Sequence, residues 1–226
     1  MLEVKQLRAR YGRARVLHGI DLEVRAGEVA VLLGPNGAGK STTLKAIMGL
    51  VPPESGEVLF EGRRIDALEP FDIARRGLGY VPEDRRIFTE LTVAENLEVG
   101  RKAAQPGARA WTAEKLFALF PILESMRERP AAHMSGGEQQ MLTIARTLMG
   151  NPKALLLDEP FEGLAPRIAQ DIAGALLALK RVGVALLMCE QNLAYATQLG
   201  DRAYLLQQGQ VQRVGVPREF GENAFL

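Results

Sequence analysis

The chain has 226 residues, 47% of them hydrophobic and 24% charged, enough to bury a core in one large domain or two small ones. Its 28 basic and 27 acidic side chains leave a net charge of +1, which gives no electrostatic reason to expect nucleic acid as a partner. The single cysteine, Cys189, excludes an internal disulfide, no apolar run approaches the roughly 18–20 residues that span a bilayer, and MLEVKQLRARYGRAR lacks the apolar stretch of a signal peptide.

In chain order, LEVKQLRARY alternates as a half-buried strand, and GIDLEVRAGE reads as a strand and then a turn. VAVLLG (29–34) has no polar alternation, as expected for a strand covered on both faces. In STTLKAIMGL, Leu44, Ile47 and Met48 share one helical face and Gly49 can close the helix. SGEVLFEGRR ends at a turn with Glu61-Gly62. Residues from about 86 to 150 are mostly helical and interrupt the core strands; within them KAAQPGARA (102–110) is expected to be a mobile loop. EQQMLTIARTLMGNP predicts a helix with Met141, Ile144, Ala145 and Leu148 on one face, stopped by Gly150 and Pro152.

ALLLDE (154–159) and VALLMCE (184–190) are again unbroken apolar strands, and Cys189 in the second is expected to be a buried structural thiol. Between them PRIAQDIAGALLALKRVG predicts a helix that starts at Pro166, carries the stripe Ile168, Ile172 and Leu176, and ends on Lys180 and Arg181. RAYLLQQGQVQRVG (202–215) predicts a hairpin around Gln208-Gly209. Strands alternating with helices predict an α/β fold with a mainly parallel sheet, to which the ends of the chain add antiparallel strands.

Three stretches carry chemistry. GPNGAGKS (34–41) fits G-x-x-x-x-G-K-[ST] between a strand and a helix. Its glycines let successive N–H groups face phosphates, and the helix adds its positive end. Gly34, Pro35, Asn36, Gly37, Ala38, Gly39, Lys40, Ser41 and Thr42 are therefore expected to bind nucleotide, with Lys40 reaching the β- and γ-phosphates and Ser41 binding Mg²⁺. LLLDEP supplies Asp158, placed to hold Mg²⁺ through water, and Glu159, placed to polarise an attacking water as general base. A capping pair for the next helix is the alternative reading of those two acids. MSGGEQQ (134–140) sets Ser135, Gly136 and Gly137 before a helix, a second terminus suited to an anion or simply a loop.

These motifs in this order resemble the nucleotide-binding domain of ATP-binding cassette (ABC) proteins, and the resemblance covers nearly the whole chain. It implies a P-loop NTPase fold: one ABC ATPase domain over 1–226, with a catalytic core and antiparallel β subdomain from 1–85 and 151–226, and a helical subdomain inserted at 86–150. It implies that Ser135, Gly136, Gly137 and Glu138 form the signature that completes a partner's ATP site when two cassettes close head-to-tail. Tyr11 matches the family's adenine-stacking position, although a strand-edge aromatic is the plainer reading.

IDLEVRAGE, YVPEDRRIFTELTVAENL, MSGGEQQML and EGLAP look like the ATP-binding subunit of bacterial branched-chain amino acid importers that carries VPE and EQN. Urea and amide importers have similar ATPases. The implied cofactors are ATP and Mg²⁺. The implied partners are a second ABC ATPase subunit, the same or different, integral membrane permease subunits and, indirectly, a periplasmic or extracellular substrate-binding protein, with no nucleic acid. The implied location is cytoplasmic, on the inner face of the cell membrane. A soluble ABC ATPase and a non-catalytic regulatory cassette are the rival readings.

The chain departs from the family pattern at three places. Glu83 stands where most members have the glutamine that touches Mg²⁺ or the attacking water; a carboxylate can still coordinate a hard cation. Glu162 and Ala165 replace a more usual Ser and Asp. Gln191 replaces the switch histidine: its amide can donate to a phosphate or accept from water, but it cannot become a cation. His18 and His133 are expected at the surface and do not restore that charge.

Overall fold

The computed structural model describes residues 1–103 and 110–221; most of the expected loop at 102–110 lies outside them. β1 (Leu2–Tyr11), β2 (Ala14–Val24) and β3 (Val29–Leu33) lead into α1 (Lys40–Ile47), followed by β4 (Ser55–Phe60), β5 (Arg63–Arg64), α2 (Pro70–Arg75) and β6 (Leu78–Val81). Four helices come next, α3 (Val93–Gly100), α4 (Ala113–Leu119), α5 (Pro121–Ser125) and α6 (Gly136–Leu148), with one 3-10 turn at Ala131–His133. The chain then runs through β7 (Ala154–Asp158), α7 (Pro166–Arg181), β8 (Ala185–Glu190), α8 (Leu193–Leu199), β9 (Arg202–Gln207) and β10 (Gln210–Gly215), and a 3-10 turn at Pro217–Glu219.

The strands form two sheets. The larger has the order β10-β9-β3-β8-β7-β6 and the smaller β2-β1-β4-β5. In the larger sheet β6, β7, β8, β3 and β9 are all mutually parallel, and only β10 runs antiparallel. The 202–215 hairpin is present, with Gln208 and Gly209 at φ 47° and 70° in its turn. Its first strand is not an antiparallel addition, however: β9 pairs with β3 inside the core sheet.

Alternation along each parallel strand sorts the core into two layers. Val29, Val31, Leu33, Leu186 and Met188 pack with α6, α7 and α8 on one face. Ala30, Leu32, Leu187 and Cys189 pack with α1 and the smaller sheet on the other. Both faces are covered, which is why these strands read as unbroken apolar runs. Cys189 is a buried free thiol, as expected.

Two local details differ from the simplest reading of the sequence. The alternation of β1 breaks at Lys5 and Gln6, where Gln6 takes φ 49° and a bulge shifts the register between Val4 and Leu7. After α6 the left-handed residue is Asn151 (φ 55°), not Gly150. The Asn151 amide earns its place by reaching the carbonyl of Lys102 at 2.7 Å and accepting from the Trp111 N–H at 2.7 Å.

Candidate active site

β3, β8 and β7 are neighbours, with Leu33 beside Glu190 and Asp158 beside Cys189. Parallel strands end on one edge, so the turns that begin at Gly34, Asp158 and Gln191 open into a common crevice. Local chemistry fixes the first turn. A Cβ at Gly34 would stand 2.3 Å from the carbonyl oxygen of Leu206, and one at Gly39, which has φ 107°, would stand 2.9 Å from Leu17 Cδ2. Only glycine closes the loop at either end. The Gly34 N–H donates to the Glu190 carbonyl at 3.2 Å, tying the loop to the strand that ends in Gln191. α1 starts at Lys40 without a side-chain cap at Gly39, so its first N–H groups remain suited to an anion.

Lys40 is nearly fully buried. Its Nζ donates to the carbonyls of Gly34 (2.8 Å) and Pro35 (3.1 Å) and lies 3.1 Å from Glu159 Oε1. On the other oxygen of the same carboxylate, Gln191 Nε2 donates to Glu159 Oε2 at 2.7 Å. Glu159 is therefore gripped from both sides, on a backbone at φ 46°, a conformation that costs a non-glycine residue about 1–3 kcal/mol. Burial opposes its ionisation, but hydrogen bonds from Glu162, Gln191 and Lys40 outweigh burial and hold the carboxyl below its ordinary value. Glu162 moves the other way: sharing a hydrogen bond with Glu159, then burial and the charges of Glu159 and Glu83, push it up to about 7.

Ser41 Oγ donates to Asp158 Oδ1 at 2.8 Å, bringing together two of the residues expected at the metal. The second contact of Asp158 comes from a residue that no motif singles out: Tyr80 OH donates to Oδ2 at 3.1 Å. Burial pushes the Asp158 carboxyl up from its ordinary value and these two hydroxyls pull it back. Among the described residues no group of three or more His, Cys, Asp or Glu side chains forms a metal cage. An Asp–Ser pair beside a phosphate loop instead suits a cation that takes most of its other ligands from phosphates and water. Glu190, the residue before Gln191, is 4% exposed, with Oε1 lacking a hydrogen-bond partner in the protein.

Three expected participants stand apart. Glu83 is exposed and contacts neither Ser41 nor Asp158; only its charge is felt, at Glu162. Tyr11 is 50% exposed at the end of β1, pairing with Ala14. Ser135, Gly136, Gly137 and Glu138 open α6 with a reciprocal cap: Ser135 N–H donates to Glu138 Oε2 at 2.7 Å, and Ser135 Oγ accepts from the Glu138 N–H at 3.4 Å. The Ser135 hydroxyl proton is left free to donate elsewhere. A Cβ at Gly137 would stand 2.7 Å from Ile168 Cγ2, so this glycine lets α6 approach α7.

The loop after Glu83 is tied to α6. Thr143 Oγ1 donates to the Arg85 carbonyl at 2.8 Å and Arg146 Nη2 to the Arg86 carbonyl at 2.6 Å. Arg85 and Arg86 hold φ values of 62° and 48°. Arg146 also lies over the Phe88 ring at 4.9 Å, and the buried Asn96 side chain bonds both the N–H (3.0 Å) and the carbonyl (2.9 Å) of Phe88.

The ABC transporter family model matches residues 17–162. The chain is 43% identical over 93% of its length to the high-affinity branched-chain amino acid transport ATP-binding protein BraG of Pseudomonas aeruginosa, covering 91% of that protein. It is 36% identical over 97% of its length to the lipopolysaccharide export system ATP-binding protein LptB of Haemophilus influenzae, covering 92% of it. Among solved structures, a nucleotide-free ATP-binding cassette from an ABC transporter superposes with a TM-score of 0.82 at 30% identity, covering 99% of this chain and 92% of that one. A phosphate loop, an Asp-Glu strand end and a capped Ser-Gly-Gly helix on this fold, matched across most of their length by these proteins, place the chain in the ABC transporter family as an ATP-binding, ATP-hydrolysing subunit.

Proposed function

We propose that the chain drives a bacterial importer of branched-chain or other hydrophobic amino acids, working from the cytoplasmic face of the membrane. The observation that carries this is the 43% identity to BraG over 93% of the chain, joined to the VPE, EGLAP and EQN stretches. The LptB relatives, at 36% identity over 97% of the chain, favour a second reading, a motor for lipid export.

The residues would divide the work as follows. Gly34 to Thr42 cradle the phosphates, and Tyr11 stacks on adenine. ATP gives Lys40 Nζ a phosphate to face in place of Glu159, whose Oε1 then becomes free to accept a proton from water. Gln191 keeps that carboxylate aligned through its 2.7 Å bond. Mg²⁺, when bound, would neutralise charge on the β- and γ-phosphates; Ser41 and Asp158 would hold it, with Glu83 closing in. The helical subdomain at 86–150 would present Ser135, Gly136, Gly137 and Glu138 to the nucleotide of a second cassette.

A groove of about 370 Å³ is lined by Met48, Tyr80, Phe88, Val99 and Arg146, with Phe88 and Val99 about half exposed. It runs from beside the Asp158 contact of Tyr80 to α6 and would receive a cytoplasmic segment of the permease. Among the described residues no helix is long and apolar enough to cross a membrane.

The test is retrieval of the tagged chain from membranes, identification of what accompanies it, and transport by the purified complex in proteoliposomes. A polytopic permease, a second cassette and ATP-dependent leucine uptake are expected. A complex that extracts lipid and takes up no amino acid would replace this reading with the second.

A further inference from the structure

Gln191 cannot take up the proton a histidine would, so of the two side chains that grip Glu159 only Lys40 brings a positive charge. Arg85, at the head of the signature helix, has a guanidinium with no role assigned so far. Arg85 is half-buried, yet among the described residues no carboxylate, carbonyl or hydroxyl meets its guanidinium. Asp84, the nearest acid in sequence, is taken by Arg86 at 2.9 Å. Glu138 is committed to the Ser135 N–H.

The guanidinium instead lies against the first residue of α6. A Cβ on Gly136 would stand 2.5 Å from Nη1, 3.2 Å from Cζ and 3.4 Å from Nη2. A cation beside the positive end of a 13-residue helix is repelled by it, and the acid in that turn, Glu138, is bonded to the Ser135 N–H and not to the guanidinium. The position is imposed all the same. Arg85 and Arg86 are both held at positive φ, and Thr143 and Arg146 of α6 hold the carbonyls of both. Strained backbone that is fixed by several bonds marks a site where geometry matters more than local stability. Two positive features that repel each other in one subunit become complementary to the same anion in a pair.

We propose that Arg85 acts in trans: when two cassettes close, its guanidinium, with the Ser135 hydroxyl and the α6 N-terminus, binds the γ-phosphate of the partner's ATP and supplies the cation that Gln191 cannot. This rests on the head-to-tail pairing adopted under the proposed function. A guanidinium stays charged throughout the physiological range and can offer two parallel donors to a phosphate. The same strained loop begins at Glu83, so nucleotide-dependent movement of one end is carried to the partner's phosphate at the other.

The test separates binding within a subunit from closure between subunits. In full-length Glu159→Gln protein, which should retain ATP, dimerisation is measured by analytical ultracentrifugation at saturating ATP–Mg²⁺, with and without Arg85→Ala. ATP affinity is measured separately at concentrations where the chain is monomeric. Alanine keeps the backbone carbonyl that Thr143 holds, so the loop remains anchored. The expected result is an unchanged monomer affinity for ATP, a dimer weakened by about tenfold or more, partial recovery with Arg85→Lys, and a salt dependence of dimerisation that flattens when Arg85 is lost. In otherwise wild-type protein, kcat should fall while KM for ATP holds. A dimer indifferent to Arg85 overturns the proposal alone, as does an equal loss of monomer affinity, which would place Arg85 at its own subunit's nucleotide. Failure of the Glu159→Gln protein to pair with ATP bound, either with itself or with the second cassette retrieved from membranes, overturns the pairing and the proposal with it.

Discussion

Glu190 gives the sharpest quantitative test of the site's electrostatics. Its carboxyl is 4% exposed at the end of β8, with one oxygen unpartnered in the protein. Burial pushes it up to about 8; the N–H groups of Asn192 and Gln191 and the Lys40 ammonium pull it down, while the Glu159 charge pushes it up further. An unfolded glutamate titrates near 4.5. Between these values the folded chain keeps a proton that the unfolded chain releases, so stability falls as pH rises through the window. The slope is about 1.4 kcal/mol per pH unit, which makes roughly 3 kcal/mol between pH 5 and 7.5. For a chain of this size that is on the order of 6–12 °C in Tm. Glu190→Gln keeps an acceptor for the two N–H groups and removes the titration. Differential scanning calorimetry from pH 5 to 8 should show both proteins alike near pH 5 and the variant melting higher at pH 7.5. Glu162 titrates in the same direction, but it is present in both proteins and cancels in the difference. Parallel Tm curves for the two would refute the reasoning, because they would mean that Glu190 is ionised in the fold at little cost.

Other outcomes follow from single contacts. Gln191→His should raise turnover at saturating ATP by up to about tenfold, the effect of roughly 1.4 kcal/mol of charge stabilisation; a sharp fall would instead mark Gln191 as tuned to its 2.7 Å bond with Glu159. Tyr80→Phe removes one hydroxyl from a buried carboxylate and should cost about 1–3 kcal/mol in urea unfolding when no nucleotide is bound. It should cost less with ATP–Mg²⁺ present, if Asp158 then has other partners. Asn96→Ala strands the N–H and carbonyl of Phe88 and should cost about 3 kcal/mol, with protease cleavage appearing first between residues 86 and 92.

How far the sequence reaches can be seen residue by residue. The β3, β7 and β8 runs are legible because burial on both faces erases polar alternation, and the phosphate loop is legible because close backbone approach admits only glycine at 34 and 39. Both are rules about residues adjacent in the chain. The Tyr80 bond to Asp158 joins residues 78 apart and arises from the pairing of β6 with β7, which no local pattern encodes. β9 was readable as half of a hairpin because its partner β10 is next in sequence, whereas its parallel pairing with β3 depends on the whole sheet being assembled. Glu190 sits in plain view at the end of an apolar run, yet only the packed fold shows that its oxygen lacks a partner.

The same distinction explains what Gln191 means. Sequence shows the loss of a histidine and therefore of a possible charge, but it cannot show what the remaining amide does or whether a charge returns from elsewhere. The fold answers the first point: Nε2 donates to Glu159 Oε2 while Lys40 holds Oε1, so the alignment of the carboxylate needs an N–H donor and not a cation. A histidine would serve two purposes, alignment and charge, and here they can be divided between residues. Alignment stays with Gln191 in its own subunit. Charge can then come from a guanidinium that cannot lose its proton, and Arg85, strained, half-buried and, among the described residues, without a polar partner, stands at the head of the signature helix where it could supply it. Delivered by the second subunit, that charge would reach the γ-phosphate only on closure, so hydrolysis would depend more strictly on pairing than it does in a cassette with a switch histidine.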